Sequence, residues 1–330
     1  MDEKGKIVLI TGSGGFIGSH VVELLLSQGY NVRAFLRYTS HKSKGWLSGD
    51  TIEKNENLEL LYGDIRDSGA IERAVEGSTY VLHLAALIGI PYSYIAPGDY
   101  VAVNIGGTLN VLEACRRCGI ERLVHTSTSE NYGTAQYIPI DEKHPLVAQS
   151  PYSASKIAAD KIVESYNLSF DIPVVTLRPF NTFGPRQSLR AVIPTIVTQL
   201  LHHPEYLEIG ALDTRRDFTY VTDVADGFLK SMVTPDIEGE LIQLGTGTAF
   251  SIKEIVEIIN TKLNVKPEIR QDSERIRPER SEVLELVSDY SKATEKMGWR
   301  PEISFEEGIE SVIKFFRENP PENSESSFKL

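Results

Sequence analysis

The sequence predicts an α/β protein with a doubly wound parallel sheet and a smaller, interleaved C-terminal substrate-binding lobe. Three observations lead to this prediction. Short apolar strands alternate with helical segments through the first half of the chain. A glycine-rich turn lies between the first strand and the first helix. Beyond Gly184 the regular alternation stops, and the segments that follow are expected to build the smaller lobe.

The glycine turn is the clearest motif of the chain. It reads T-G-S-G-G-F-I-G and follows the apolar strand 6–10, so that a glycine recurs at every third position. Such glycines allow a tight turn, a close approach of the backbone to a pyrophosphate and close helix–strand packing. The sheet is therefore expected to be of the Rossmann type. The predicted dinucleotide contacts at this turn are Gly12, Gly15, Phe16, Ile17 and Gly18.

The end of the second strand, 31–36, bears on the choice of cofactor. An acidic residue about 20 positions beyond the glycines would bind the adenine-ribose hydroxyl of NAD. This chain has L-R-Y-T-S there instead, without a carboxylate. Arg37 could bind a 2′-phosphate and stack on the adenine, or it could be a solvated surface residue. The sequence thus favours NADP as the cofactor, with NAD as the alternative.

Further cofactor contacts are predicted at the ends of the third strand, 58–61, and the fourth strand, 79–84. The Asp64 carboxylate could accept a hydrogen bond from the adenine amino group, or it could cap a helix. The two alanines after the fourth strand are small enough for the cofactor to pass. Asn104 is expected to open the helix that runs to Cys118. The predicted cofactor contacts at these two strand ends are Asp64, Ile65, Leu84, Ala85 and Ala86. Asn104 and Pro179, later in the chain, are predicted as further contacts.

The candidate catalytic groups follow the fifth strand, 122–126, at the edge of the sheet where ligands bind. Tyr152 and Lys156 lie on a predicted helix, four positions apart and therefore on one face. A lysine ammonium beside a tyrosine favours the phenolate and lowers its pKa, so the pair could take a proton from an alcohol. We expect a hydroxyl, a carboxylate and a phenol to converge here. The predicted catalytic residues are Thr128, Ser129, Glu130, Tyr152 and Lys156.

Composition excludes several classes of partner. The net charge of -12 argues against nucleic acid and against an anionic membrane surface. No apolar run approaches the roughly 20 residues of a membrane helix, and the N-terminus lacks the apolar core of a signal peptide. A cytoplasmic location is therefore expected. Cys115 and Cys118 are interpreted as reduced thiols, and no metal site is predicted, because no further cysteine and no histidine spacing supports one.

The domain division is predicted from this pattern. Residues 1–183, together with about 214–246, are assigned to the nucleotide-binding domain. The substrate-binding lobe takes 184–213 and 247–318, including helices near 190–202, 251–263 and 304–317. The polar segment 319–330 is expected to be a flexible tail.

Together these motifs closely resemble the extended short-chain dehydrogenase/reductase superfamily over nearly the whole chain. The similar segments are T-G-S-G-G-F-I-G, G-D-I-R-D, H-L-A-A, Y-x-x-x-K, R-P-F-N and R-D-F-T-Y-V-T-D. The resemblance implies that Tyr152 is the acid/base and that Lys156 binds the nicotinamide ribose and tunes the tyrosine. It also implies that Thr128 hydrogen-bonds the sugar hydroxyl.

Glu130, two positions after Thr128, distinguishes between enzyme classes within this superfamily. Nucleotide-sugar 4,6-dehydratases and UDP-glucuronate decarboxylases have a catalytic glutamate where Glu130 stands, whereas epimerases usually have a small or neutral residue. Segments such as T-A-Q-Y-I-P-I-D-E-K-H-P-L are similar to dehydratases of the legionaminic-acid type, which act on a nucleotide-activated N-acetylglucosamine. Two positions bear on the substrate and the chemistry. Asn131 replaces a usual valine, and Ser129 stands where dTDP-glucose dehydratases have an aspartate and GDP-mannose dehydratases a serine.

The resemblance therefore implies a lyase that converts a nucleotide-diphosphate hexose to its 4-keto-6-deoxy derivative. A UDP-glucuronate decarboxylase, a 4-epimerase and a non-enzymatic NADP-sensing protein are the alternatives. A homodimer is expected for the family, through helices that include 104–118 and 152–169. By resemblance, the substrate-binding residues are Asn181, Arg186, Arg216 and Arg277.

Overall fold

The structure is a computed structural model that describes residues 5–49, 52, 54–272 and 281–321. In chain order its strands are β1 (Ile7–Thr11), β2 (Asn31–Arg37), β3 (Leu58–Gly63), β4 (Tyr80–His83), β5 (Arg122–Thr126), β6 (Val174–Pro179), β7 (Asn181–Phe183), β8 (Tyr206–Ile209), β9 (Arg215–Tyr220), β10 (Leu241–Leu244), β11 (Ala249–Ser251), β12 (Glu268–Gln271) and β13 (Glu285–Leu286). The helices are α1 (Phe16–Ser27), α2 (Ser68–Val75), α3 (Ile90–Ile95), α4 (Pro97–Tyr100), α5 (Gly107–Cys118), α6 (Pro151–Phe170), α7 (Val192–His202), α8 (Val221–Val233), α9 (Ile252–Leu263), α10 (Ser291–Met297) and α11 (Phe305–Glu318).

The main sheet confirms the predicted Rossmann-type α/β fold. Among the described residues, seven strands form a parallel sheet in the order β10-β6-β5-β4-β1-β2-β3. Because β1 lies between β2 and β4, the strand order reverses there and a crevice opens at the carboxyl end of β1. The glycine turn follows β1 directly, at that same edge.

Both faces of this sheet are covered, as a parallel sheet requires. Val8 and Ile10 of β1 pack into one core with α1 and α8, whereas Leu9 packs into a second core on the opposite face. All three side chains are fully buried. Since successive side chains of a strand point to opposite faces, a strand covered on both sides is apolar throughout its length.

The helical stretch before β5 begins earlier than the sequence analysis expects. It starts at Pro97, continues as a π-helical segment at Val101–Gly106 and passes into α5. The prediction that Asn104 opens this helix is therefore wrong, because Asn104 lies inside the π-helical segment. The sequence signal for the true start is the proline, which fits the first turn of a helix. Short π-helical segments occur frequently at functional sites.

The second half of the chain adds the smaller lobe. β7, β9, β11 and β13 form a separate sheet, and β8 pairs with β12. A further apolar core joins α7, α9 and α11 to this sheet. Capping boxes start α9 and α11, formed by Ser251 with Glu254 and by Ser304 with Glu307. Both helices agree with their predicted positions to within one residue.

The segment 214–246 is shared between the two parts of the molecule. Its first strand, β9, belongs to the small sheet, although the sequence assigns the whole segment to the nucleotide-binding domain. α8 and β10 from the same segment do join the main sheet and its core. The division of the chain into two domains at these boundaries stays a prediction.

Three chemical features of the fold bear on function. Within the ranges that the structure describes, no helix combines the length and apolar character needed to cross a membrane. In the same ranges, no group of three or more histidine, cysteine or carboxylate side chains could hold a metal ion. Cys115 and Cys118 are free thiols, and burial raises the pKa of the Cys115 thiol, unlike that of a reactive cysteine.

Candidate active site

Three of the predicted catalytic side chains meet at the carboxyl end of β5. Thr128 caps a 3-10 turn, Ser129–Tyr132, with its hydroxyl accepting from the backbone N–H of Glu130 over 3.3 Å. The same hydroxyl lies within hydrogen-bonding reach of Tyr152, and the Glu130 carboxylate is close enough to act on the Tyr152 charge. The structure thus brings together the hydroxyl, the carboxylate and the phenol. Ser129 lies beside them and is buried.

The helix that carries Tyr152 begins where the sequence predicts. Pro151 occupies its first turn, and the Ser150 side chain caps it by accepting from the backbone N–H of Ser153. Tyr152 therefore lies at the very start of α6, next to the end of β5. Lys156 follows one helical turn later and is also buried.

The electrostatic setting of Tyr152 differs from the prediction. Burial raises the pKa of Tyr152, the Thr128 hydroxyl opposes this rise, and the Glu130 charge adds to it. The Lys156 ammonium donates a hydrogen bond to the carbonyl of Thr126 over 2.6 Å. Burial lowers the pKa of Lys156 to about 8. The predicted lowering of the Tyr152 pKa is therefore wrong for the site as it stands, because desolvation outweighs the favourable contacts.

Tyr100 packs against Tyr152, and Asn104 binds the same helix at Ser155. The ring of Tyr100 packs edge-on against the Tyr152 ring, with 6.3 Å between the centroids. Asn104 accepts from the backbone N–H of Leu87 over 2.8 Å and donates to the Leu87 carbonyl and to Ser155 Oγ, over 3.0 and 2.9 Å. Predicted as a cofactor contact, Asn104 here holds the loop after β4 against α6.

The glycine turn has the shape of a dinucleotide cradle. Gly12 has a φ of +74°, and a Cβ there would lie 2.8 Å from the backbone nitrogen of Ala85. A Cβ on Gly18 would lie 2.3 Å from the Gly12 carbonyl oxygen, so neither position accepts a side chain. Gly15 caps α1 without a side chain, which leaves the first-turn N–H groups open to a pyrophosphate. The remaining predicted contacts on this edge are Phe16, Ile17, Leu84 and Ala86.

Arg37, the predicted adenine-side contact, is exposed at the end of β2, opposite Gly63 of β3. The Asp64 carboxylate is held by Arg66 in a bidentate pair at 2.9 and 2.6 Å, which lowers the pKa of Asp64 to about 2. Asp64 is thus ionised and already paired with Arg66. Ile65 is buried.

The two predicted substrate-binding arginines that the structure describes are each paired with a carboxylate. Arg186 binds Glu23 and Ser19 of α1, with distances of 2.6 and 3.2 Å. Arg216 is buried and contacts Glu282 at 3.3 Å. Arg277 lies outside the described residues.

Asn181 and Pro179 continue the same edge of the sheet from β6 into β7. Pro179 ends β6 and is buried, and Asn181 opens β7. The Oδ1 atom of Asn181 is buried and has no hydrogen-bond partner among the residues that the structure describes. An acceptor left without a partner inside a protein is costly, so Asn181 is suited to a ligand that donates to it.

Sequence reasoning missed a buried ionic network directly beneath the site. Its centre is Asp160, whose Oδ2 accepts from Ser127 over 2.6 Å and from Arg178 over 2.9 Å. The Oδ1 of Asp160 lies 3.0 Å from Nε2 of His125. A sequence signal did exist, because Asp160 follows Lys156 by four positions and so lies on the same face of α6.

The Asp160 carboxylate lies near two cations, Arg178 and Lys156. Burial alone would raise the pKa of Asp160, but His125, Arg178 and Lys156 hold it below its usual value. Burial lowers the pKa of His125, which favours a neutral ring. The Asp160 carboxylate is therefore a fixed negative charge near Lys156, and the His125 hydrogen bond and the Arg178 charge stabilise it.

A nucleotide-binding crevice, a Tyr-x-x-x-Lys helix and a hydroxyl–carboxylate pair together define an enzyme of the extended short-chain dehydrogenase/reductase class. Comparison with known families narrows this class. Residues 9–312 match the sequence model of the family described as GDP-mannose 4,6 dehydratase, and the chain belongs to that family of nucleotide-sugar dehydratases and epimerases.

Individual relatives include both activities. The chain is 32% identical to a dTDP-glucose 4,6-dehydratase from an Actinoplanes species, over 94% of this chain and 96% of the relative. It is similar to the solved structure of a UDP-N-acetylglucosamine 4-epimerase from Methanobrevibacter ruminantium in complex with UDP-N-acetylmuramic acid, with 30% identity, a TM-score of 0.86 and coverage of 96% and 99%. It is also similar to a dTDP-glucose 4,6-dehydratase from Streptomyces venezuelae with NAD bound, with 27% identity, a TM-score of 0.83 and coverage of 95% and 97%.

Proposed function

We propose that this protein is a nucleotide-sugar 4,6-dehydratase. The observation that carries the proposal is the Glu130 carboxylate beside Tyr152 and Thr128. Oxidation of a sugar hydroxyl needs an acid/base such as Tyr152. Elimination of water from the neighbouring carbons needs a second proton carrier, and Glu130 is in a position to be that carrier.

Each side chain has a distinct task in this proposal. Tyr152 takes the proton from the C4 hydroxyl, and Thr128 orients that hydroxyl. The C4 ketone acidifies the C5 hydrogen, so that Glu130 removes the C5 proton and passes it to the departing C6 hydroxyl, which leaves as water. A nicotinamide dinucleotide bound in the glycine cradle would supply the hydride chemistry at C4 and C6. C5 then takes up a proton from solvent, Tyr152 releases to solvent the proton that it took from the C4 hydroxyl, and the product is the 4-keto-6-deoxy sugar nucleotide.

The second candidate is a 4-epimerase, because epimerases are among the relatives. An epimerase needs proton transfer at C4 alone, which Tyr152 and Thr128 can supply. An epimerase removes no proton from C5, so a carboxylate beside the tyrosine would have no catalytic task there. The presence of Glu130 therefore favours the dehydratase.

Among hexoses, we propose N-acetylglucosamine carried on a nucleoside diphosphate. The sequence segments similar to dehydratases of the legionaminic-acid type support this choice. The structural similarity to an epimerase named for UDP-N-acetylglucosamine also supports it. Arg186, Arg216 and Arg277 are proposed to bind the diphosphate, which requires that Arg186 release Glu23 when substrate enters.

The test is incubation of the purified protein with UDP- and GDP-linked N-acetylglucosamine, glucose, mannose and glucuronate, followed by mass spectrometry. The dehydratase is expected to release a product that has lost one water. Loss of carbon dioxide from the glucuronate substrate would establish the decarboxylase instead. A product of unchanged mass with inverted C4 configuration would establish the epimerase.

We propose NADP as the cofactor, because the segment 37–44 contains Arg37 and two lysines and no carboxylate. Replacing Arg37 by alanine is expected to weaken NADP binding about 10- to 100-fold, the range for a charged hydrogen bond to phosphate, and to leave NAD binding nearly unchanged. Calorimetric titration with both dinucleotides measures this difference. The control is Arg33→Ala on the same strand, where the arginine pairs with Glu59. An equal loss of affinity for both dinucleotides in Arg37→Ala would exclude a phosphate contact.

We further propose that the enzyme is a homodimer that pairs through α5 and α6. These two helices contact each other in one subunit. Their outer faces expose the apolar side chains of Leu109, Leu168 and Phe170. Burial of such side chains against a second copy would remove apolar surface from water, the usual driving force for association.

A further inference from the structure

The turn that carries Glu130 is held in place by helix α6. The Ser153 hydroxyl donates to the backbone carbonyl of Glu130 over 2.9 Å. The next residue, Asn131, is fully buried beneath the turn, and its Nδ2 donates to Oδ2 of Asp160 over 2.9 Å. Two residues of α6 therefore hold the turn, one through Glu130 itself and one through its neighbour.

The same helix carries Tyr152, so these contacts fix the carboxylate relative to the phenol. Within the turn, the backbone N–H of Asn131 donates to the Thr128 carbonyl over 3.2 Å, and that of Gly133 donates to the Glu130 carbonyl over 3.3 Å. Both bonds are long, and a turn this short gains little stability from its own backbone. Its position is therefore determined mainly by its side-chain contacts with α6.

The amide at position 131 is chemically suited to this contact. Its Nδ2 donates to the Asp160 carboxylate and to Ser127 Oγ, the latter over 3.3 Å, and adds no charge. Its Oδ1 has no hydrogen-bond partner among the residues that the structure describes. A buried acceptor without a partner destabilises a fold, so the amide is a costly choice unless its donor group is needed.

Other side chains at this position would change the contact in opposite ways. A valine, usual in the dehydratases that the sequence resembles, has a similar volume but cannot donate to Asp160. An aspartate would place a second carboxylate against Asp160, where only one of two close carboxylates ionises readily. Asparagine thus joins the catalytic turn to a fixed anion without disturbing the balance between Asp160 and Arg178.

We propose that Asn131 and Asp160 form a positioning pair that sets the Glu130 carboxylate for removal of the C5 proton. This inference rests on the proposed function, because it assigns the pair to the elimination step. Neither side chain contacts substrate in this role. Since proton transfer depends on close geometry, a displaced turn slows the elimination far more than it weakens substrate binding.

The first test compares Asn131→Val with Asn260→Val. Asn260 also buries an Oδ1 without a partner among the described residues, but it lies on α9 in the smaller lobe. We expect Asn131→Val to lower kcat for water loss about 10- to 100-fold with little change in KM, as expected for a misplaced catalytic group. In the absence of substrate, we also expect the backbone amides of residues 131 and 133 to exchange with deuterium faster in Asn131→Val than in the wild type. Asn260→Val should change neither quantity.

The second test exchanges the partners. Asn131→Asp sets two carboxylates against each other, and combining it with Asp160→Asn restores one carboxylate and one amide at the same contact. The double variant is expected to have a kcat about tenfold higher than that of Asn131→Asp, because substitutions at two residues in contact are not additive. A purely structural role of Asp160 toward Arg178 and His125 predicts the opposite, because the double variant removes the anion from both partners.

The outcomes separate this inference from the proposed function. If the wild-type enzyme releases dehydrated product and Asn131→Val retains its kcat, the positioning pair is wrong. If the wild type releases no dehydrated product, the proposed function fails, and with it the assignment of the pair to the elimination step. Hydrogen exchange then decides whether Asn131 and Asp160 hold the turn that carries Glu130. Unchanged exchange at Asn131 and Gly133 then overturns the pair, and faster exchange supports it. If Asn131→Val does not fold, the double variant Asn131→Asp with Asp160→Asn decides instead. A kcat no higher than that of Asn131→Asp alone would then overturn the pair.

Discussion

Replacing Glu130 by glutamine is expected to lower the rate of water loss about 100- to 10,000-fold while leaving dinucleotide binding intact. The size follows from the usual contribution of a positioned proton carrier. Glutamine keeps the length and shape of the side chain but cannot accept the C5 proton. The loss should appear in kcat, because the carboxylate acts on the reacting carbon and contributes little to binding the nucleotide.

Glu130→Gln should still oxidise the sugar at C4, since that step depends on Tyr152. Rapid mixing with substrate is therefore expected to show the absorbance of reduced nicotinamide without release of dehydrated product. Glu240→Gln is the matched control, because Glu240 is a half-buried carboxylate paired with Lys292 at the far edge of the sheet. A full rate of water loss in Glu130→Gln would show that another group removes the C5 proton.

The fold could be predicted because its signals are local. Apolar runs such as 122–126 and the glycine turn after β1 each encode their own structure within a few residues. The alternation of such segments then leaves few topologies open. One error, the start of the helical stretch before β5, arose because Asn104 was expected to begin the helix, whereas the stretch begins at Pro97.

The candidate site could be predicted only in part, because much of it depends on contacts between distant segments. Asp160 is bonded by side chains from β5, β6 and the catalytic turn, and no spacing along the sequence reveals that meeting. In the same way, Arg186 gives no sign in the sequence that it pairs with Glu23, far away along the chain. Residue type identifies a candidate, whereas its partners decide what it can bind.

Desolvation explains why the sequence analysis expected the wrong direction for the Tyr152 pKa. Lys156 is one positive charge on the same helix, but both side chains are buried, and burial penalises the charged form of each. The result is a site in which Tyr152 resists ionisation and Lys156 holds its proton less tightly than usual. Tyr152 must lose its own proton before it can accept one from the sugar hydroxyl, so the raised pKa makes the phenolate the minor form at neutral pH.

Replacing Tyr152 by phenylalanine is expected to abolish both steps, with a loss of at least about 1,000-fold in product formation. No reduced nicotinamide should appear on mixing with substrate, which distinguishes this variant from Glu130→Gln. Tyr166→Phe is the matched control on the same helix, where the hydroxyl donates to Glu113 instead.

The pH profile supplies a second readout for Tyr152. Because burial raises the pKa of Tyr152, the rate of C4 oxidation by the wild type should increase with pH through neutrality. This increase should fade above about pH 8, where Lys156 loses its proton. Residual oxidation by Tyr152→Phe should lack the increase, since no phenol remains to titrate. If Tyr152→Phe retained both the rate and its pH dependence, the base would have to be sought elsewhere, and the Thr128–Glu130–Tyr152 arrangement would not be the catalytic site.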